Sequence, residues 1–451
     1  MKKNDEILIE IIAVANEGNG IGKYNGITVF VPFAVPGDVL KVKIVKVKSN
    51  FCFGKTIEII KPSKLRIKSD CDNFEKCGGC IFRNISYETE LLLKQQRVYD
   101  AMLRIGKIDI NCNTIIGGSN TLRYRNKAQC PVSVDGNVGF YALRSHRVIP
   151  FNNGTCLLQP RDFDSVIELL SIFFKEKNVS CYNEITKQGI IRHIYMRKAF
   201  ATGEIMVVIV VNSNNFSLEN AVVELLKKHL GDHLKTVVIN FNTKDTNVIL
   251  GKEQKVIYGE GYITDILCSV KIRISPYSFY QVNREMAQIL YEKAKEYAQP
   301  NNKTVLDLYC GAGTIGLSMA NSAKQIIGVE IVEQAVEDAK FNAKNNNIDN
   351  AMFICDDASG AAKELALQKV KPEVVIVDPP RKGCDKELLN TIANDFSPER
   401  LVYVSCDPAT LARDCAILNG LGYCVLEYTP VDLFPRTEHV ETVCLLERKK
   451  S

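Results

Sequence analysis

From about Ser278 onward the chain alternates short apolar runs with helical segments. Strand-like runs fall at 304–309, 326–330, 352–355, 373–378, 401–406 and 422–428. Strands joined by helices pair in parallel, because a parallel connection needs a crossover of about a dozen residues or more. The C-terminal part is therefore expected to be a doubly wound, Rossmann-like α/β sheet with helices on both faces. Ligands of such sheets bind outside the carboxyl ends of the strands. The residues that close each run are where chemistry should be sought.

Three of these closing segments carry unusual residues. Leu306-Asp307-Leu308-Tyr309-Cys310-Gly311-Ala312-Gly313-Thr314 leads from a strand into an apolar helix, and with Gly316 it completes G-x-G-x-x-G. Gly311 and Gly313 permit a tight turn close to a ligand, and Gly316 lets the helix pack on the sheet. The next strand ends in Glu330, placed to accept hydrogen bonds from ribose hydroxyls. NAD and S-adenosylmethionine enzymes share this layout. The second segment, Asp378-Pro379-Pro380-Arg381-Lys382-Gly383, is a rigid turn that presents carbonyls rather than donors. It suits the edge of a planar base or a methyl donor held against one. The third, Val402-Tyr403-Val404-Ser405-Cys406-Asp407-Pro408, delivers a thiol to the sheet edge.

Near the end stands Glu438-His439-Val440-Glu441. Carbon 5 of uracil is a poor nucleophile until a thiolate adds to carbon 6, and a base must later remove the carbon 5 proton. Cys406, Glu441 and the 307–330 turn would supply thiol, base and methyl donor, with His439 an alternative base or orienter.

The 451-residue length allows two or three domains. Residues 1–62 read as a small antiparallel barrel, with strands at Ile7–Ile12, Thr28–Val31 and Val39–Ile44. A helix is expected over Tyr87–Ile105, with Leu91, Val98, Met102 and Ile105 on one face and Gln95 a polar gap. Residues 115–273 suggest an α+β region with an antiparallel sheet. The expected division is 1–62 as barrel, 63–81 with 115–273 as a central unit, and 82–114 with 274–451 as the catalytic unit.

Between Lys41 and Lys68 only Glu58 opposes a run of basic residues, and further basic groups lie at Arg123, Arg125 and Lys127 and at Arg144, His146 and Arg147. Such clustering is the footprint of a polyanion partner. No apolar stretch reaches membrane-spanning length, and Met1–Glu6 has no signal core. A cytoplasmic location and a monomer are expected.

The sixteen cysteines then belong to a reducing compartment, where a disulfide framework is disfavoured. Cys268, Cys355, Cys424 and Cys444 read as core. Cys71, Cys77 and Cys80 are spaced C-x5-C-x2-C in a loop with Gly78-Gly79, and Cys156 in Asn153-Gly154-Thr155-Cys156 is the best fourth thiol. Four thiolates suit zinc or an iron–sulfur cluster, and the spacing does not choose.

Taken together, Ser278-Phe279-Tyr280-Gln281-Val282-Asn283, Asp307–Gly311, Asp378–Arg381, Ser405–Pro408 and Glu438–Glu441 occur in the order of the RNA uracil-5 methyltransferases, which the chain resembles over essentially its full length. The resemblance implies S-adenosylmethionine held by Gln281, Tyr309, Glu330 and Asp378, Cys406 as nucleophile and Glu441 as base. Thr314 stands where some relatives carry an Asn. The 1–62 barrel is similar to the TRAM module, and the thiols Cys71, Cys77, Cys80 and Cys156 to a 4Fe–4S site of the ribosomal RNA branch. Arg123–Lys127 and Ile191-Arg192-His193 look RNA-facing. Transfer RNA members usually lack both barrel and cluster, so 23S ribosomal RNA is the expected partner. A transfer RNA enzyme and an RNA cytosine-5 enzyme are the alternatives; the latter usually has a second cysteine directly after its Asp-x-Pro turn, and here the nearest is Cys384.

Overall fold

The computed structural model describes residues 1–151 and 155–449. The chain opens with β1 (Glu6–Val14), β2 (Gly20–Tyr24), β3 (Ile27–Val31), β4 (Val39–Val47) and β5 (Phe51–Lys61), which close into a barrel in the order β1-β2-β3-β5-β4. Alternate residues point inward, so Ile7, Ile9, Val29, Val31, Leu40, Val42 and Ile44 form a small core. The barrel is not wholly antiparallel: β3 and β5 run parallel. β2, with the sequence Gly-Ile-Gly-Lys-Tyr, is not among the strands expected from sequence. It is a strand because it crosses β1 too closely for side chains: a Cβ on Gly22 would lie 2.5 Å from the Glu10 carbonyl oxygen.

A cysteine-bearing loop leads to α1 (Tyr87–Arg104), capped by the Ser86 side chain on Thr89 N–H. Its buried stripe is Glu90, Lys94, Val98, Ala101 and Met102. Ile105, expected on that face, lies just past the helix and is half exposed. Gln95 is polar for a reason: its Oε1 accepts from Ile115 N–H at 2.8 Å.

The central region holds β6 (Lys127–Pro131), the hairpin β7 (Gly139–Tyr141) and β8 (Val148–Pro150), α2 (Arg161–Glu176), β9 (Ile191–Lys198), β10 (Ile205–Val211), α3 (Glu219–Leu230), β11 (Leu234–Phe241) and β12 (Glu253–Tyr258). Its five-stranded sheet runs β12-β11-β10-β9-β6. The expected antiparallel order fails at one place, since β10 and β11 are parallel. Helix α3 is the crossover between them.

A second hairpin, β13 (Ile263–Leu267) and β14 (Val270–Ile274), precedes α4 (Arg284–Ala298). Then follow β15 (Thr304–Leu308), α5 (Thr314–Met319), β16 (Gln325–Glu330), α6 (Glu333–Asn345), β17 (Ala351–Cys355), α7 (Ala358–Leu367), β18 (Val374–Val377), α8 (Lys386–Asn390), β19 (Arg400–Ser405), α9 (Pro408–Gly420), β20 (Tyr423–Val431) and β21 (Glu441–Arg448). The seven strands run β17-β16-β15-β18-β19-β21-β20. The first five are parallel, and β21 inserts antiparallel between β19 and β20. Apolar residues on the two faces of this sheet meet separate layers of helices. Cys444 lies in that core, but Cys355 is exposed at the edge strand β17, and Cys268 and Cys424 are half-buried.

Candidate active site

The carboxyl ends of β15, β16, β18 and β19 surround a cavity of about 960 Å³. Gln281, Tyr309, Glu330, Asp378, Cys406 and Glu441 all line it. Six residues spread over 161 positions of sequence thus share one space. No helix among the described residues is long and apolar enough to cross a membrane.

The glycine turn is held by carboxylates. Asp307, fully buried, accepts from Gly316 N–H at 2.9 Å, and a Cβ on Gly316 would lie 2.8 Å from Ile326. Burial pushes Asp307 up to about 7. Glu330 accepts from Gly311 N–H at 3.1 Å and Val332 N–H at 2.9 Å, so each carboxylate oxygen has one backbone partner and keeps acceptor capacity towards the cavity. Gly311 has φ 55° and open space where a Cβ would stand. Gln281 is hydrogen-bonded to the buried Tyr291, and its carbonyl accepts from Asn126 at 2.8 Å. Asp356, following β17, also lines the cavity and was not singled out from sequence. Its signal was available: it occupies another strand-to-helix turn of the same sheet edge, beside Asp357, which caps α7.

Cys406 stands between β19 and α9, where Asp407 caps the helix through Ala409 N–H and Thr410 N–H and Pro408 takes the first turn. The Asp-Pro pair is thus the device that ends the strand and leaves the thiol at its edge. β19 and β21 pair from Arg400↔Glu447 to Ser405↔Thr442. One step further along this antiparallel register, Cys406 meets Glu441. Burial, then the Glu441 and Asp378 carboxylates, push the thiol up to about 11, while Arg381 opposes them. Burial pushes Glu441 up to about 8, with Asp378 adding to the rise. Burial likewise holds Asp378 up at about 7. His439 lines the same cavity, and burial keeps it below its ordinary value. Cys384 is buried against Tyr309 and Tyr403, and is not among the cavity-lining residues. Cys310, buried in the glycine turn, is the second thiol that lines the cavity with Cys406.

The loop before β21 is clamped from α1. Lys94 bonds Glu90 at 2.8 Å and Asp432 at 2.7 Å with all three side chains buried, and Arg436 N–H donates to Glu90 at 2.7 Å. Burial pushes Glu90 up to about 7 even with Lys94 pulling it down. Removing the cation leaves two buried carboxylates facing each other. Lys94→Ala is expected to cost about 3–5 kcal/mol of stability, measured by urea unfolding. Hydrogen exchange should show lost amide protection at 434–440. An unchanged unfolding midpoint would show that the network is not holding this loop.

Cys71, Cys77, Cys80 and Cys156 line a second cavity of about 610 Å³, which shares Gly78, Gly79, Arg125 and Lys127 with the first. Gly79 N–H donates to Cys77 Sγ and Arg83 Nε to Cys80 Sγ, both at 3.3 Å. Burial pushes Cys77 and Cys80 each up to about 11. The donor set is the soft one expected for zinc or iron–sulfur, yet among the described residues no group of three or more His, Cys, Asp or Glu is drawn together as metal ligands. Asn153 and Gly154 lie outside the described residues.

Several basic residues expected to face RNA are structural. Arg123 donates to the Cys156 and Gln159 carbonyls and pairs with Asp164. Arg192 is buried, stacks 4.4 Å from the Tyr182 ring and donates to the Asn242 and Lys244 carbonyls. His193 is buried too, and burial pushes it down to about 4. Arg125 and Lys127 do face the cavities; burial and the nearby Arg197 and Arg125 bring Lys127 down to about 8.

A parallel sheet with a glycine turn, an acid closing the next strand and a thiol beside a carboxylate at one edge fits an S-adenosylmethionine-dependent methyltransferase, here joined to a small barrel. Residues 213–449 match the family model described as tRNA (uracil-5-)-methyltransferase, and residues 2–57 match the TRAM domain. The chain belongs to the tRNA (uracil-5-)-methyltransferase family, and is an RNA methyltransferase. It is 43% identical to an uncharacterised RNA methyltransferase of Clostridium tetani, over 99% of this chain and 97% of that protein. A relative in Halalkalibacterium halodurans is 42% identical over 100% and 98%. The Pyrococcus abyssi tRNA (uracil-54, C5)-methyltransferase, solved with S-adenosyl-L-homocysteine, superposes with a TM-score of 0.80 at 26% identity, covering 98% of this chain and 100% of that one. That coverage cannot leave out the barrel. A barrel alone therefore does not separate ribosomal from transfer RNA enzymes.

Proposed function

We propose that this enzyme methylates carbon 5 of a uridine in 23S ribosomal RNA through a covalent Cys406–uracil adduct. The observation that carries the chemistry is the β19–β21 register, which brings Cys406 and Glu441 to one wall of the cofactor cavity. Cys406 Sγ, as thiolate, adds to carbon 6, and the electrons of the 5,6 double bond move to the carbon 4 carbonyl as an enolate. S-adenosylmethionine supplies an electrophilic methyl group on a sulfonium. Carbon 5 would take that methyl as the enolate returns to the carbon 4 carbonyl, with S-adenosylhomocysteine the leaving group, and would still bear its hydrogen. Glu441 then removes the proton, the 5,6 double bond re-forms, and Cys406 leaves as thiolate. A carboxylate poised at about 8 is a better match for that proton than one at its ordinary value. Gln281, Tyr309, Glu330 and Asp378 hold the cofactor in this reading. The family's cytosine-like alternative is disfavoured by the position of Cys384, away from the cavity.

The likeness to the Pyrococcus abyssi enzyme favours a second reading, in which the uridine lies in transfer RNA. One experiment separates them: tritiated S-adenosylmethionine is incubated with unmodified 23S and transfer RNA transcripts, which are digested to nucleosides. Label in 5-methyluridine from 23S RNA is expected. Label in transfer RNA alone selects the second reading, and 5-methylcytidine or no product overturns both.

The proposal includes a 4Fe–4S cluster held by Cys71, Cys77, Cys80 and Cys156, with zinc the alternative. Its support is that four thiols line one cavity, with N–H···S contacts to Cys77 and Cys80. It would staple the 71–80 loop to the segment after 154. Anaerobic purification should yield brown protein containing iron and sulfide; colourless protein with zinc would refute the cluster.

A further inference from the structure

We propose that Asn126, which stands just before β6 and lines neither cavity, is a positioning residue for the cofactor: it holds the backbone of Gln281 from behind, so that the central region completes the S-adenosylmethionine site. The inference rests on the proposed role of Gln281 in holding the cofactor, and deepens it. Along a strand, successive side chains point to opposite sides. The lead into β6 follows that alternation. Arg125 and Lys127 line both cavities, while Asn126 between them turns into the protein and is 1% exposed. Its Nδ2 donates to the Gln281 carbonyl at 2.8 Å, and its backbone N–H donates to the Val282 carbonyl at 2.8 Å. Arg125 forms an antiparallel bridge with Asn283. One short segment thus puts two cations on the substrate side and one amide on the back of the cofactor residue.

The neighbours of Gln281 have anchors of their own. The Tyr280 hydroxyl donates to the buried Asp265 at 3.0 Å, and Asn283 caps α4 through Met286 N–H and donates to the Leu433 carbonyl at 3.1 Å. Gln281 lies between them, its side-chain amide bonded to the buried Tyr291 and its carbonyl held by Asn126. A buried carbonyl that loses its donor turns towards another, and a turning peptide carries its side chain with it. With the flanking residues fixed, that turn falls on Gln281 and on the cofactor it holds. The residue type matters as much as its size. Aspartate has the shape of asparagine but no side-chain donor when ionised, and would set a carboxylate against the carbonyl oxygen.

Calorimetric titration of the full-length protein with S-adenosylhomocysteine tests this directly. Asn126→Ala and the isosteric Asn126→Asp should each raise Kd roughly tenfold. In a Gln281→Ala background, Asn126→Ala should raise Kd less than about twofold further, because the side chain it positions is already gone. A general loss of stability would instead add in full to the Gln281→Ala effect. Either Asn126 variant serves if the other does not fold. Wild-type affinity in Asn126→Asp would mean that shape and not the donor matters, and overturns the proposal; so does full additivity with Gln281→Ala. The underlying reading fails separately: if Gln281→Ala alone binds S-adenosylhomocysteine as tightly as the unmodified protein, Gln281 does not hold the cofactor. If Gln281→Ala weakens binding and the Asn126 variants do not, the reading stands and the positioning role falls.

Discussion

Cys406→Ala should lose methyl transfer by at least about 10⁴-fold, the scale on which removing a covalent nucleophile acts, while still binding RNA and S-adenosylmethionine. The size follows from the chemistry. Without a thiolate on carbon 6 there is no enolate, and the other thiol lining the cavity, Cys310, is buried in the glycine turn, where burial pushes it well above its ordinary value. The thiol's environment adds a pH signature. Burial and two carboxylates hold it up at about 11, above the ordinary cysteine value, so the protonated form dominates at neutral pH in the free enzyme. Iodoacetamide labelling of Cys406 should therefore rise with pH up to about 11. A sulfonium placed in the cavity favours the anions and should shift that profile downward; the uncharged S-adenosylhomocysteine should shift it less. Turnover by the alanine variant would mean that another group attacks carbon 6.

Glu441→Gln should trap the reaction one step later. Methyl transfer to carbon 5 precedes proton removal, so the variant should accumulate a methylated RNA–protein complex that survives denaturing electrophoresis. Free 5-methyluridine should fall roughly 10²–10⁴-fold, as expected for a lost general base. Glutamine keeps the shape of the buried site and removes only the basic oxygen. If no complex accumulates and product still forms, the base lies elsewhere, with His439, which also lines the cavity, the alternative. If neither complex nor product forms, Glu441 acts before the methyl is transferred.

The parallel strands were legible because each is an apolar run closed by a turn, and the site because it collects at those closures. Strand direction was not legible. The run Val443–Leu446 within β21 is as apolar as β18, and only packing in the assembled sheet decides that it enters antiparallel. Yet that direction is what sets Glu441 opposite Cys406. β2 was hidden for a different reason: its glycines report close contact between strands, while the same residues elsewhere report turns. Arg123, Arg192 and His193 show the limit for charge. An arginine spent on carbonyls, like Arg123 and Arg192, or a buried uncharged imidazole like His193, looks identical in sequence to a cation left for phosphate. The four thiols line one cavity, but among the described residues no three of them are drawn together as metal ligands, and spacing in sequence does not fix the distances a metal demands.

The insertion of β21 also has a consequence for timing. It is synthesised after every other strand of the sheet, yet it occupies an interior slot between β19 and β20. A nascent chain emerging from the ribosome carries Cys406 well before Glu441. Until β21 docks, β19 and β20 each present an unpaired edge, and the thiol has no carboxylate opposite it. On the proposed chemistry, the enzyme can act only once β21 has taken that slot.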